Sequence, residues 1–216
     1  MLSTRTSNFQ PSILNFQPST FNNQLGALNL KYNRTFLKYL LKFLLTFCIL
    51  YVGTIAWIGI TAPGGYYWPF AATYLNYVAA LRWLLLHGAK ILLEIFGYAV
   101  YLKDAYTIRI QNGLGVHVGY DCIGYGVMFF WLAFIVANKG TFAKKIKWVG
   151  IGLLIIWLVN VLRIALMVIA INDHWSSLFN LDNHSWFNIA AYTVIFCMIY
   201  LFDRSQNKEA TIGTVG

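Results

Sequence analysis

The sequence predicts an all-α fold: a multi-pass transmembrane helix bundle with four core spans, an interfacial helix or helical hairpin, and a small extracytoplasmic β-hairpin. Of the 216 residues, 59% are hydrophobic and only 11% are charged, whereas soluble domains carry about 25% charged residues. Aromatic residues reach 18%, and Trp and Tyr concentrate where a bilayer meets water. The apolar residues fall in long runs separated by Lys-rich or Pro- and Gly-rich segments, as expected of membrane spans.

The net charge of +9 raises the question of a nucleic-acid ligand. The basic residues lie beside apolar runs and form no separate basic domain, so the excess of Lys and Arg in cytoplasmic loops of membrane proteins explains them better. The sequence therefore predicts a lipid bilayer as partner and no nucleic acid.

The chain opens with a polar segment, residues 1–30, which has too few apolar residues to fold alone and is predicted to be a disordered cytoplasmic leader. The first span is predicted from Phe36 to Ile60. Lys31 and Arg34 precede it and mark its cytoplasmic end. Pro63-Gly64-Gly65 then breaks the helix at the outer face.

Residues 70–102 are apolar and predicted to be helical, but charged or ionisable side chains interrupt every window of about 20 residues that a span needs: Arg82, His87, Lys90 and Glu94. One interpretation is an amphipathic helix, or two short ones, in the outer interface. The other is a helical hairpin that turns near His87–Lys90. We favour the interfacial interpretation, and both leave residue 103 on the outer side.

Residues 103–121 form the main polar loop. Two alternating segments, Thr107–Ile110 and Val116–Val118, flank Asn112-Gly113, a strong signal for a tight β-turn. A small β-hairpin is therefore expected here, and it would deliver Cys122 to the start of the next span.

The remaining apolar runs predict three further spans, Ile123–Ala137, Trp148–Ile171 and Trp186–Phe202. Four lysines within residues 138–147 mark a cytoplasmic loop between the first two of these spans. The helix from Trp148 therefore runs outward, and the last span returns to a cytoplasmic tail at residues 204–216. Both termini are predicted to be cytoplasmic.

Arg163 is the strongest single indication of function, because a charged group within a span normally faces a partner or a water-filled cavity. It lies about eight residues, or roughly 12 Å, from the outer end of its helix. Asn160, three positions earlier, shares its helix face. The alternative is a structural Arg satisfied by backbone carbonyls or by a buried carboxylate such as Asp121.

Cys122 is predicted at a helix N-terminus, where the helix dipole and a nearby Arg163 would both favour the thiolate. Gly124 and Gly126 would let a substrate backbone or a neighbouring helix approach, while an ionised Asp121 would oppose the thiolate. The alternative is a buried structural Cys.

His184 opens the last span and could accept the thiol proton and return it to a leaving amine. His174, His117 and His87 compete for this role, but the position at the mouth of a span favours His184. No Cys or His pair has metal-binding spacing, and neither a phosphate-binding loop nor a serine nucleophile motif is present. The sequence thus predicts no metal and no cofactor.

Cys122-Ile123-Gly124 at the head of one span, Asn160-x-x-Arg163 inside the next and His184 opening the last together resemble the exosortase/archaeosortase family. The resemblance implies a transmembrane domain over residues 31–203 in a bacterial or archaeal cytoplasmic membrane. Ile123 stands where many members have a small residue, and Asn188 where many have Gly.

The resemblance also implies a cysteine peptidase or transpeptidase with an extracytoplasmic active site. Its substrates would be exported proteins with a C-terminal motif, a transmembrane helix and a basic tail. Cys122 would be the nucleophile, Arg163 the group that stabilises the oxyanion or thiolate, and His184 the acid/base. Asn160, Gly124 and Asp121 would support them.

Two alternatives remain open from the sequence. One is a non-enzymatic transporter or assembly subunit that binds an anionic ligand through Arg163. The other is a membrane cysteine enzyme that acts on lipids or acyl chains.

Overall fold

The protein is a bundle of helices with a small antiparallel sheet inserted between the third and fourth. The computed structural model describes residues 30–62, 66–173 and 183–212, without the side chains of 30–33, 35, 183–188 and 207–212. The helices are α1 (Leu30–Thr61), α2 (Pro69–Tyr74), α3 (Tyr77–Ile95), α4 (Tyr125–Ala137), α5 (Phe142–Asn172) and α6 (Asn183–Ile212). The strands are β1 (Val100–Leu102), β2 (Thr107–Ile110) and β3 (Gly115–His117). Apart from Leu30, the predicted leader lies outside the described residues.

Two described helices are long and apolar enough to cross a bilayer: α1 over Phe36–Thr61 and α5 over Phe142–Asn172. The apolar helix α4 is shorter, with 13 residues. The protein buries only 6% of the apolar window of α1, against 39% for α5. A mostly helical fold with membrane-capable helices is therefore confirmed, while the count of four spans stays a prediction.

Helix α5 is the element on which the others pack, since α3, α4 and α6 all contact it. The first hydrophobic cluster joins α3 to α5 and includes Leu85, Leu86, Val161 and Ile164. A second cluster joins α4, α5 and α6 around Trp131 and Phe202. Chain contacts divide the protein into Met1–Tyr39 and Leu40–Gly216, and this packing belongs entirely to the second unit.

The segment predicted as an interfacial helix or a hairpin is a short helix, α2, followed by the 19-residue helix α3. The Asn76 side chain caps the start of helix α3. Its Oδ1 accepts a hydrogen bond from the Ala79 backbone N–H at 2.9 Å. The helix then runs without a turn through His87 and Gly88, so the helical hairpin is wrong. Gly88 packs closely against α5, where a Cβ would lie within about 3 Å of Val161 and Trp157. The interfacial position of α3 stays a prediction.

The predicted hairpin exists, but it is part of a three-stranded antiparallel sheet in the order β1-β2-β3. The turn lies where expected, with Asn112 at φ 61° and the Gly113 N–H bonded to the Ile110 carbonyl at 3.0 Å. Strand β1, Val100–Leu102, corrects the prediction of helix at these residues. Helix α3 ends at Ile95 with Phe96 as its C-cap, and Gly97 adopts φ 84°, a left-handed conformation that commonly terminates helices.

Two helix boundaries also differ from the prediction. Helix α5 begins at Phe142, so Lys144, Lys145 and Lys147 lie in its first turns instead of in a loop. Helix α6 continues to Ile212, well into the predicted tail. Both helices thus extend beyond their apolar runs, α5 at its start and α6 at its end. Long polar side chains such as Lys are good helix formers, so a helix does not have to end where the apolar residues end.

The contact between Gly152 of α5 and Trp131 of α4 yields a stability prediction. Trp131 is fully buried and its indole N–H donates to the Trp148 carbonyl at 3.1 Å, so the ring has little freedom to move. A Cβ at position 152 would overlap this ring. We expect Gly152→Ala to lower the unfolding free energy by about 1–3 kcal/mol, measured by thermal unfolding in detergent.

Gly150→Ala is the matched control on the same helix, because a Cβ at position 150 meets nothing within 4 Å. The thermal unfolding midpoint of Gly150→Ala should equal that of the parent protein or be slightly higher, since Ala is a better helix former than Gly. Equal midpoints for the two variants would contradict the close α4–α5 contact.

Candidate functional site

Cys122 lies on a short 3-10 turn, Tyr120–Cys122, between β3 and α4. Its thiol is free and its side chain half-buried. The sequence predicted Cys122 at the N-terminus of a span, but α4 begins one turn later, at Tyr125. Because the influence of a helix dipole falls off within the first turn, the dipole of α4 is a weaker source of thiolate stabilisation than predicted.

The side chain of Asn160 holds the Cys122 turn against α5. Its Nδ2 donates to the Cys122 carbonyl at 3.2 Å and to the Ile123 carbonyl at 2.7 Å. Asn160 is buried with 6% of its surface exposed, and Ile123 is fully buried. These bonds satisfy two carbonyls that precede α4, and a buried unpaired carbonyl is costly. Asn160 therefore contacts the Cys122 turn through a side chain that bonds to the backbone, a contact that the sequence did not predict.

Gly124 makes this contact possible, because a side chain of the neighbouring helix α5 approaches it, one of the two possibilities that the sequence left open. Its φ of 81° is in the left-handed region, which glycine adopts readily. A Cβ there would lie 2.9 Å from the Asn160 Nδ2. At Gly126 a Cβ would reach only ordinary contact, 3.5 Å from the Tyr51 ring. The open space at Gly124 is thus occupied by Asn160 rather than kept for a substrate.

Arg163 follows Asn160 by one helical turn, or about 4.5 Å along the axis, and is half-buried. Its Nη2 atom is buried and has no hydrogen-bond partner in the described part of the chain. Asp121, considered above as a buried partner, is exposed and makes no ion pair with it. A buried guanidinium N–H without a partner is energetically costly, and an anionic or carbonyl oxygen would satisfy the Nη2 donor of Arg163.

Arg163 and Gly124 line the same small cavity between α4, α5 and α6, with a volume of about 60 Å³. Asn160 forms another part of its wall, and α6 contributes Ala191 and Ile195. A cavity of this size accommodates a few waters but no peptide. The structure therefore brings Gly124, Asn160 and Arg163 together, and it joins Cys122 to them through its carbonyl rather than its thiol.

His184 is the second residue of α6, which begins at Asn183; its side chain lies outside the described residues, as does all of His174. The two other histidines make local contacts. His87 Nδ1 bonds to the Trp83 carbonyl at 2.8 Å, and His117 packs on the Tyr106 ring within the sheet. Neither lines the Arg163 cavity.

The polar hairpin is fastened to the end of α5, which fixes the path of the chain into the Cys122 turn. Asn172 accepts a hydrogen bond from the Leu114 N–H at 2.7 Å and donates to the Leu114 carbonyl at 3.2 Å. The Asn112-Gly113 turn signalled a hairpin, but nothing in the sequence signalled that Asn172 would hold it. Within the described residues, no group of three His, Cys, Asp or Glu side chains is arranged to hold a metal ion.

Two membrane-capable helices and a small polar cavity lined by Gly124, Asn160 and Arg163 are features of an integral membrane protein with a buried polar site. The model of the transmembrane exosortase family matches residues 28–202 of the chain. This match covers most of the sequence, so the chain belongs to the transmembrane exosortase family. No curated protein and no solved structure matches it significantly.

The Asn160 contact yields a prediction for Asn160→Asp. The change replaces an amide that donates to two carbonyls with a carboxylate that repels them. We expect a loss of about 2–4 kcal/mol of unfolding free energy, since buried groups are left unpaired, together with loss of any Cys122-dependent activity. Thermal unfolding in detergent measures the change in unfolding free energy.

Asn76→Asp provides the control with the same chemical change. Asn76 uses its oxygen as an acceptor at the start of α3, and Asp serves equally well at that position. If Asn160→Asp were as stable as Asn76→Asp, the role assigned to Asn160 would be wrong.

Proposed function

We propose that the protein is a membrane-embedded cysteine peptidase or transpeptidase that cleaves C-terminal sorting signals of exported proteins. The observation that carries the proposal is the arrangement around Asn160. Its amide holds the Cys122 turn on α5, and the unpaired Arg163 guanidinium lies one turn further along the same helix. Membership of the exosortase family supports it, since these proteins act on protein substrates in the membrane in the manner of cysteine peptidases.

In the proposed reaction the Cys122 thiolate attacks a backbone carbonyl carbon of the substrate, and a C–S bond forms. Arg163 donates to the resulting oxyanion; one such donor typically contributes about 3–4 kcal/mol to the transition state. The C–N bond then breaks, and the amine leaves with the proton that His184 took from the thiol. Water, an amine or a lipid acceptor resolves the thioester.

Asn160 is a positioning residue in this scheme. Its amide has two N–H groups, and both are used by the carbonyls of Cys122 and Ile123. None remains for a substrate. Arg163, in contrast, has a buried donor with no partner, which suits a group whose partner is present only while the reaction proceeds.

The placement of His184 is compatible with the acid/base role. Position 184 lies on α6 two turns before Ala191, or about 10.5 Å along the axis, and Ala191 lines the Arg163 cavity. Helical periodicity puts positions 184 and 191 on the same side of α6. The site is proposed to face outward, because the lysines near the start of α5 favour a cytoplasmic location for that end.

Cys122→Ala should leave the full-length precursor of a sorted protein in the membrane, because no thioester can form. Mass spectrometry of what accumulates identifies the substrate and its motif. Cys48→Ala and Cys197→Ala are matched controls, since both thiols are free and exposed and neither residue lines the Arg163 cavity, and both should process normally. Normal processing by Cys122→Ala would exclude the proposed mechanism.

The variant Arg163→Gln, compared with Cys122→Ala, distinguishes the proposed enzyme from the alternative of a non-enzymatic membrane protein that binds an anion. We expect processing to fall about 100- to 1000-fold, as for loss of an oxyanion donor. The melting temperature should stay equal or rise, because an unpaired buried charge has been removed. A large loss of stability in Arg163→Gln would instead indicate that Arg163 has a structural role. A non-enzymatic anion-binding protein would keep its function in Cys122→Ala and lose it in Arg163→Gln.

A further inference from the structure

A second and larger concavity lies apart from the Arg163 cavity. This groove, with a volume of about 680 Å³, runs along α2, the first half of α3 and the connection between β1 and β2. None of Gly124, Asn160 or Arg163 contributes to it. Its size is that of a small-molecule site, and nothing in the proposed reaction uses it.

The groove contains a buried arginine without a counter-ion. Arg82 has only 4% of its surface exposed, and its Nη1 atom has no hydrogen-bond partner. Its guanidinium carbon lies 3.7 Å from the centre of the Tyr106 ring and 5.2 Å from that of Tyr120. Cation–π contacts with these rings offset only part of the cost of burying a guanidinium. No described carboxylate pairs with it, so an anion is the missing partner.

A carboxylate lies elsewhere on the wall of the same groove. Asp104 is exposed, and its side chain accepts a hydrogen bond from the Tyr106 N–H at 2.7 Å. That hydrogen bond lowers the pKa of Asp104 below its usual range, so the group is ionised at neutral pH. With Arg82 the groove presents one positive and one negative charge, which suits a ligand that carries both.

The groove is surrounded by residue types that are typical of a membrane–water interface. Exposed aromatic side chains are concentrated in the wall of the groove and in the segment that precedes it in the chain: Tyr66, Tyr67, Trp68, Phe70, Tyr74 and Trp83. Such belts of Tyr and Trp lie at the level of lipid headgroups. The ligand that is abundant at this depth is a phospholipid.

We propose that this groove binds the headgroup of an aminophospholipid, with its phosphodiester on Arg82 and its ammonium group on Asp104. Arginine pairs well with phosphate oxygens, and a primary ammonium donates to a carboxylate. A choline headgroup lacks these donors, and a glycerol headgroup lacks the cation.

The bound headgroup would also act on the Cys122 turn. Arg82 packs on Tyr120, the residue that begins the turn ending at Cys122. A phosphate that fixes the Arg82 guanidinium would therefore restrict Tyr120 and the turn. In this way a lipid in the groove would stabilise the cysteine without contacting it.

The test is a thermal-shift titration of the full-length protein in a nonionic detergent. Phosphatidylethanolamine should raise the melting temperature saturably, by about 5 °C at high occupancy. Phosphatidylcholine and phosphatidylglycerol should bind about tenfold more weakly. Simple attraction of an anionic lipid to a protein of net charge +9 predicts the opposite order, with phosphatidylglycerol first.

Three variants probe the site itself. Asp104→Asn keeps the acceptor for the Tyr106 N–H and should remove the preference for phosphatidylethanolamine over phosphatidylglycerol. Ala79→Leu fills the groove and should weaken all three lipids about tenfold. Arg82→Gln should abolish the saturable shift. Lys90→Gln is the control, since it removes a positive charge from the same helix outside the groove.

Several results would overturn the proposal. They are an equal response to the three lipids, an unchanged preference in Asp104→Asn, and full binding by Ala79→Leu. Equal stabilisation by water-soluble glycerophosphoethanolamine would show that the ligand is not a lipid. If Arg82→Gln does not fold, Asp104→Asn and Ala79→Leu still decide between these outcomes.

Discussion

The structure around Cys122 depends on one side-chain amide. Asn160 of α5 bonds to two consecutive backbone carbonyls, those of Cys122 and Ile123. The segment between the sheet and α4 has few backbone partners of its own, and buried carbonyls must find donors. Asn160 supplies them, and the left-handed Gly124 provides the space. The position of the thiol is therefore set by a residue far away in sequence on a different helix.

Helix α5 can carry this role because it is the common packing partner of the fold. Helices α3, α4 and α6 and strands β2 and β3 all contact it. Its Asn172 fastens the hairpin that precedes the Cys122 turn, and its Asn160 fastens the turn itself. Arg163 lies between these two asparagines on the same helix. Groups that must keep a fixed mutual geometry are thus mounted on one rigid element, as precise sites require.

Among the described residues, the guanidinium groups of Arg163 and Arg82 have no counter-ion, and each lies close to the Cys122 segment. Arg163 lies beside the cavity under Gly124, and Arg82 packs on Tyr120. Burying either charge opposes folding unless a partner is present. The two proposals give each residue a partner: an oxyanion for Arg163 in the proposed acyl transfer, and a phosphate for Arg82 in the proposed capture of a lipid headgroup. The contact through Tyr120 provides a physical link between the two.

The sequence by itself determined the helical membrane class, the hairpin turn at Asn112-Gly113 and the candidates Cys122, Asn160 and Arg163, because hydropathy, turn chemistry and the cost of intramembrane charge are local properties. The sequence predicted a helix at Val100–Leu102, where the structure has a strand, and it placed Cys122 at the start of a helix that begins only at Tyr125. One of its two interpretations of residues 70–102, a helical hairpin that turns near His87, was also wrong. These errors share a cause: strand pairing, helix contacts and backbone capping depend on residues distant in the chain. Only the tertiary structure decided that Asn160 bonds to the backbone beside Cys122 and that Arg82 is buried between two tyrosines, since neither contact leaves a periodic signal.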